Sequence, residues 1–324
     1  MKPRVYVTRN LPQAALDILA AHCEVALNRR DVILTKAQLI QKIRGAQGLV
    51  CLLVDPINEA VLASSPVLRI VSNVAVGYNN IDVEAATRRK VLVTNTPGVL
   101  DNTTADFAFT LLLATARRVV EGDAYLRAGK WREWGLMLFT GHDVYGKTLG
   151  ICGLGRIGRA VGRRARGFDM RLLYTDAVRA DEVTERDLGV TFVDKQTLLR
   201  ESDFVTLHVP LFPETHHYVS TPEFRLMKRT AILINASRGP VVDEQALVKA
   251  LRGGLIAGAG LDVFEREPKV ERGLLGLKQV TIVPHIASAS IATRTKMATM
   301  AAENCVAGLA GRRPPNLVNP EALG

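Results

Sequence analysis

The chain has 324 residues, 42 of them Lys or Arg against 32 Asp or Glu, giving a net charge of +10; about half of it (48%) is apolar and few residues (5%) are aromatic. That is room for two cored domains of a soluble α/β protein, and no apolar stretch approaches the roughly 20 residues of a membrane span. The basic residues come in short pairs (Arg88-Arg89, Arg117-Arg118, Arg163-Arg164) without interleaved aromatics, a pattern that suits helix C-termini and argues against nucleic acid as a partner.

In chain order, Met1-Lys-Pro-Arg-Val-Tyr-Val opens at once as a strand rather than as a leader, so a cytoplasmic location is expected. Strands are predicted at 4–8, 48–54, 68–72 and 91–94, alternating with helices at 12–21, 35–43, 58–63 and 82–89. A long apolar helix over 104–126 follows. A second series then begins, with strands at 148–152, 170–175, 204–207, 231–235, 256–261 and 281–283 and a final helix over 291–309. Strand and helix in alternation predict parallel, doubly wound sheets, here two of them. The final helix has length enough to return to the first domain. The expected organisation is therefore a discontinuous flavodoxin-like substrate domain (1–101 and 292–324) interrupted by a Rossmann cofactor domain (102–291), with a small substrate meeting the cofactor in the cleft.

The predicted strand 148–152 runs into Gly153, Gly155 and Gly158 and then a helix. The first glycine allows the tight turn, the second lets the backbone approach a pyrophosphate, and the third lets helix and strand pack closely. Asp176 ends the next strand, where an acid binds the adenosine ribose hydroxyls and would repel a 2′-phosphate; it points to NADH over NADPH, with Arg179 leaving some tolerance of NADP. Cys23, Cys51, Cys152 and Cys305 sit in apolar surroundings without CxxC or Cys/His ligand spacing, so buried free thiols and no metal are expected.

Three polar residues stand where later strands end: Arg238 in Asn-Ala-Ser-Arg-Gly-Pro, Glu267 before Pro268, and His285 after Pro284. Reduction of a ketone needs a hydride carrier, a proton donor titrating near neutrality, and a fixed cation for a carboxylate. His285, supported by Glu267, and Arg238 are the right types. Each is also an ordinary turn or loop residue, and spacing alone does not show that the three converge. His208, His216 and His217 are rivals for the histidine.

Several motifs in order carry a family resemblance over nearly the whole length: Asn73-Val-Ala-Val-Gly-Tyr-Asn-Asn-Ile-Asp82, Gly129-Lys-Trp-Arg-Glu-Trp134, the glycine turn, Leu207-His-Val-Pro210, Asn235-Ala-Ser-Arg-Gly239, Gly260-Leu-Asp-Val-Phe-Glu-Arg-Glu-Pro268 and Pro284-His285. The chain resembles the D-isomer-specific 2-hydroxyacid dehydrogenases, closest to their glyoxylate and hydroxypyruvate reductase branch. The resemblance implies Arg238, Glu267 and His285 as catalytic positions, with the Val76 and Gly77 amides joining Arg238 and His285 at the substrate. It implies cofactor contacts at Thr104, Gly153, Gly155, Arg156, Ile157, Gly158, Asp176, Pro210, Thr215, Ala236, Ser237, Arg238, Asp262, His285 and Ser288. Trp134 resembles a residue that reaches the neighbouring subunit's active site, which implies a homodimer; packing is the alternative for Trp131 and Trp134. Asn79, the Asp101-Asn-Thr approach to Thr104, and Ala287 depart from the family's usual residues around the pocket without removing a catalytic group. Competing readings are a short D-3-phosphoglycerate dehydrogenase and a NAD-sensing binding protein akin to corepressors of this fold. Formate oxidation is disfavoured, because a carboxylate rather than Gln accompanies the histidine.

Overall fold

Buried parallel strands read as near-continuous apolar runs because helices cover both sheet faces, and the chain is built on that rule twice. The computed structural model describes residues 2–323. They divide into two units, residues 2–100 with 289–323, and Asp101–Ser288.

In the first unit, β1 (Arg4–Val7), β2 (Glu24–Leu27), β3 (Gly48–Cys51), β4 (Ile70–Asn73) and β5 (Leu92–Thr94) form a parallel sheet in the order β2-β1-β3-β4-β5. This is the flavodoxin-like order. The helix Ile291–Leu309 packs on β3 and β4 and against the helix Gln13–His22. Gly48 is needed where that helix meets the sheet, since a β-carbon there would lie 3.0 Å from Cys305 Sγ and 3.1 Å from Leu309. The edge strand β5 is closed by Asn319, whose Oδ1 accepts from Val93 N (2.7 Å) and whose Nδ2 donates to Val91 O (2.9 Å). The strand expected over 48–54 stops at Cys51. Asp55 accepts from Leu52 N (2.8 Å) and turns the chain away.

In the second unit, β6 (Thr148–Cys152), β7 (Arg171–Thr175), β8 (Val190–Phe192), β9 (Phe204–Leu207), β10 (Ile232–Asn235), β11 (Gly258–Leu261) and β12 (Val280–Ile282) form a seven-stranded parallel sheet in the order β12-β11-β10-β9-β6-β7-β8. The order reverses between β6 and β9, the Rossmann arrangement with its ligand crevice at the strand C-termini. One apolar core, including Leu112, Leu149 and Ile234, lies on one face; another, including Leu199, Phe224 and Leu247, lies on the other.

The helix expected over 104–126 is two, Asp101–Ala116 and Val119–Arg127. The break comes from a distant segment. Ala116 O is taken by His142 N (2.9 Å), and Gly141 lies so close that a β-carbon would sit 2.2 Å from that oxygen. Arg118 turns into the left-handed region (φ 53°), pairs with Glu121 and covers the Phe139 ring at 5.0 Å. β2 and β8 were not expected. Both are short, outermost in their sheets and only partly buried, so they lack the apolar run that marks an inner strand. Among the described residues no helix is long and apolar enough to cross a membrane.

Candidate active site and cofactor turn

At the end of β6 the chain makes the glycine turn. Gly153 adopts φ 92°, and a β-carbon there would meet His208 C at 2.9 Å. Gly158 lies against the turn, its would-be β-carbon 2.1 Å from Gly153 O, whereas around Gly155 there is nothing within 4 Å. The helix Arg156–Arg166 starts at Gly155 without a side-chain cap. By contrast, the helices beginning at Lys36, Glu59, Glu182, Lys195 and Glu244 have first-turn amides taken by Thr35, Asn58, Asp181, Asp194 and Asp243. An uncapped N-terminus beside open space fits an anionic pyrophosphate. The uncapped first turn here is that of Arg156 and Ile157.

Asp176 follows β7 and is tied into the same turn, with Oδ2 accepting from Leu154 N and Oδ1 from Ala177 N, both at 2.7 Å. Thr215 Oγ1 donates to Pro210 O (2.6 Å) and accepts from Phe212 N (2.8 Å), so these two predicted cofactor positions share one tight loop. Ser237 donates to Asn235 Oδ1 from its amide (3.1 Å) and its hydroxyl (2.9 Å), shaping the loop past β10 beside buried Ala236. Thr104 is buried in the helix Asp101–Ala116, and Ser288 is the last residue of the unit.

β10, β11 and β12 are neighbours, and their C-terminal loops carry Arg238, Glu267 and His285. His285 Nδ1 and Glu267 Oε2 are 2.8 Å apart, with both side chains about three-quarters buried. Glu267 Oε1 accepts from Phe264 N (3.0 Å). Burial alone would raise the Glu267 carboxyl, but the His285 hydrogen bond and charge, the Phe264 amide and the Arg238 charge together hold it below the usual range. Burial pulls the Arg238 pKa down, partly countered by Glu267; a guanidinium stays charged in any case. Arg238 Nη1 donates to Ser237 O (2.7 Å), and a β-carbon on adjacent Gly239 would fall 1.9 Å from Phe264 C. The Arg238 and Glu267 loops are therefore pressed together, backbone to backbone.

Asp262 is fully buried, with Oδ1 accepting from Ile286 N (2.6 Å) and Oδ2 from Ala287 N (2.9 Å). Burial nevertheless raises its carboxyl. His208 is hydrogen-bonded to Thr206 Oγ1 (2.9 Å), and burial lowers its pKa to about 4, so it is neutral. His216 stacks on His217 (4.1 Å), and His217 Nε2 meets Glu265 Oε1 at 2.9 Å. A brace that sequence reasoning did not find lies beneath the Arg238 loop: His217 N donates to Pro240 O (2.7 Å), while Glu265 N donates to Glu244 Oε1 (2.8 Å) and Glu244 N to Glu265 Oε1 (3.1 Å). Its partners lie 21 to 48 residues apart, and no local spacing announces them.

In the first unit, Val76 O accepts from Asn95 Nδ2 (2.8 Å) and Gly77 O from Asn73 Nδ2 (2.9 Å). Across a trans peptide carbonyl and N–H point opposite ways. Holding Val76 O therefore turns the Gly77 N–H away from Asn95.

Residues 109–287 match the family described as D-isomer specific 2-hydroxyacid dehydrogenase, NAD binding domain. A glyoxylate reductase of Korarchaeum cryptofilum is 55% identical over 325 aligned positions, covering 100% of this chain and 98% of that protein. The Thermus thermophilus TT0316 protein superposes with a TM-score of 0.90 at 45% identity (97% of this chain, 99% of that one). The NADPH-dependent glyoxylate/hydroxypyruvate reductase of Sinorhizobium meliloti, solved with NADP and malonate, does so with 0.87 at 33% identity (99% and 98%). Two parallel sheets, a dinucleotide turn and whole-length kinship converge: the chain belongs to the D-isomer specific 2-hydroxyacid dehydrogenase family and is an NAD-dependent oxidoreductase.

Proposed function

We propose that this protein reduces a small 2-oxoacid, glyoxylate or hydroxypyruvate, to the D-2-hydroxyacid. The observation that carries the reading is the 2.8 Å His285–Glu267 pair beside Arg238 at three adjacent strand ends. A bound nicotinamide supplies the hydride. His285 gives a proton from Nε2 to the carbonyl oxygen as charge develops there, with Glu267 on Nδ1 fixing the ring. Arg238 pairs with the carboxylate and fixes its orientation. The Val76 and Gly77 amides are further candidates for that carboxylate. Gly153, Gly155, Gly158 and the first turn at Arg156 and Ile157 hold the pyrophosphate, Asp176 the ribose, and Thr104, Pro210, Thr215, Ala236, Ser237, Asp262 and Ser288 complete the cofactor contacts. NADH is the preferred donor, since the Asp176 carboxylate at the ribose disfavours a 2′-phosphate.

A homodimer is supported by the apolar side chains that a single chain leaves bare over 131–138: Trp134 is 74%, Leu136 75% and Met137 73% exposed. A reducing compartment such as the cytoplasm is supported by four buried, unpaired cysteines. The test is the loss of NADH absorbance on purified protein with glyoxylate, hydroxypyruvate, pyruvate and 3-phosphohydroxypyruvate side by side, repeated with NADPH. Fast turnover of glyoxylate or hydroxypyruvate with NADH supports the proposal. Turnover of the phosphorylated substrate alone favours the phosphoglycerate reading, and tight NADH binding without turnover favours a binding protein.

A further inference from the structure

β7 ends in Tyr174 and Thr175, Asp176 follows, and the chain then crosses to the helix Glu182–Leu188, whose first turn Asp181 caps by accepting from Thr184 N (2.8 Å). Arg179 lies in this crossing, three residues past Asp176. An arginine in that region is the usual means of accommodating a 2′-phosphate. Here its fork is already engaged. Arg179 Nε donates to Glu185 Oε1 and Nη2 to Glu185 Oε2, both at 2.8 Å. The guanidinium also lies 5.7 Å from the Phe192 ring centre.

The carboxylate is the more deeply set partner, its side chain 13% exposed against 62% for Arg179. It is fixed from a third side by Tyr174, whose hydroxyl donates to Glu185 Oε1 (2.5 Å) and accepts from Ala180 N (3.0 Å). The Arg179 fork, and after it the Tyr174 hydroxyl, hold the Glu185 carboxyl down at about 2, so it is charged at any working pH. One buried tyrosine therefore ties both the carboxylate and the backbone beside Arg179. The arginine is thereby paired with a fixed anion on the helix.

We infer that Glu185 is a specificity-determining residue: it sequesters Arg179 in a two-point pair and denies it to the 2′-phosphate of NADPH. The inference rests on the reading that Asp176 receives the adenosine ribose. A 2′-phosphate carries about −1.5 to −2 charges at neutral pH. It would approach Asp176, Asp181 and Glu185 with Arg179 already neutralised. Asp176 thus supplies repulsion, and Glu185 removes the attraction that would offset it.

The test compares kcat/KM for NADH and NADPH in the wild type, Glu185→Gln, Arg179→Ala and the double variant, with the best 2-oxoacid of the panel held saturating. Glu185→Gln should raise NADPH efficiency about tenfold, the size of one charge-assisted hydrogen bond, with NADH efficiency kept as the control for folding. Adding Arg179→Ala should abolish the gain, and Arg179→Ala alone should leave NADPH efficiency unchanged. Glu185→Asp keeps the charge but shortens the reach, so a smaller rise is expected; it decides the matter if the glutamine variant misfolds. An unchanged cofactor ratio in Glu185→Gln, a gain that survives Arg179→Ala, or a loss of NADPH use in Arg179→Ala alone would overturn the inference. A wild type that prefers NADPH while Arg179→Ala has no effect refutes NADH preference but leaves Glu185→Gln to decide this inference.

Discussion

Alanine at Gly155 and alanine at Gly158 should separate two roles that the glycine turn combines. At Gly158 the new methyl would stand 2.1 Å from Gly153 O, a backbone atom that cannot rotate away. Helix and turn must part by more than an ångström to restore an ordinary contact, at roughly 1–3 kcal/mol for overpacking, partly offset by the better helix propensity of alanine. At Gly155 nothing lies within 4 Å and φ is −68°, so alanine fits the free protein. A poorer N-cap and a less flexible unfolded chain act in opposite directions, each up to about 1 kcal/mol, and nearly cancel. Bound pyrophosphate reverses the ranking, because the Gly155 methyl fills the space it needs. NADH at a hundred times its dissociation constant stabilises the native protein by about 2.7 kcal/mol, a shift of roughly 5–10 °C in the unit that binds it. The assay is thermal unfolding with and without NADH, with the affinity read from NADH fluorescence. Gly155→Ala should melt like the wild type alone yet lose the NADH shift; Gly158→Ala should melt several degrees lower from the outset. Wild-type NADH affinity in Gly155→Ala would refute the placement of the pyrophosphate.

His285→Ala should lower kcat for 2-oxoacid reduction by about 10²–10⁴, with NADH affinity by fluorescence titration nearly intact; unchanged turnover would remove His285 as proton donor. Arg238→Ala should raise KM for the oxoacid and lower kcat together, since it takes away a cation used in both binding and orientation, and steady-state kinetics on glyoxylate would read both. His208 yields a pH prediction. Its folded pKa is lowered by burial to about 4 from an ordinary 6.5, so the unfolded chain binds the extra proton between those values. Stability should therefore fall as pH drops from 6.5 toward 4, by at most about 3 kcal/mol at 1.36 kcal/mol per unit. His208→Asn should flatten that part of the curve in urea unfolding at a series of pH values.

What was legible in the sequence follows the range of the forces involved. The inner strands announce themselves because burial on both faces demands continuous apolar runs, as in Leu149 to Cys152 and Ile232 to Ile234. The glycine turn is equally local: three glycines, a strand and a helix within 148–166. The ends of the apolar runs also located Arg238, Glu267 and His285, since adjacent parallel strands present their C-termini on one edge. Features decided by distant partners stayed hidden. The break after Ala116 depends on His142, the shortening of β3 on an Asp55 held by the Thr8 hydroxyl 47 residues before it, and the brace under Pro240 on His217, Glu244 and Glu265. Arg179 was visible as a cation near the ribose position. That it is paired is a property of a glutamate six residues on, one helical turn inside the next element, and of a tyrosine on the strand before.

His285, the proposed proton donor, sits on strained backbone, and the structure accounts for how that strain is held. His285 has φ 53°, a left-handed conformation that costs a non-glycine residue about 1–2 kcal/mol. Its amide donates to Asp262 O (2.8 Å), and the next two amides, of Ile286 and Ala287, close on the Asp262 carboxylate. Asp262 is in turn anchored through its own amide to Asn235 O (2.9 Å), and the Asn235 side chain shapes the Ser237–Arg238 loop. A buried carboxylate with a raised pKa is costly unless its oxygens are satisfied. Here the hydrogen bonds offset both costs: the left-handed turn brings two consecutive N–H groups onto one carboxylate, and the carboxylate holds the turn. The same residue thus holds the backbone that carries His285 and, through Asn235, is linked to the loop that carries Arg238. Substituting Asp262 should therefore disturb His285 and Arg238 together, a coupling that neither residue's own contacts would suggest.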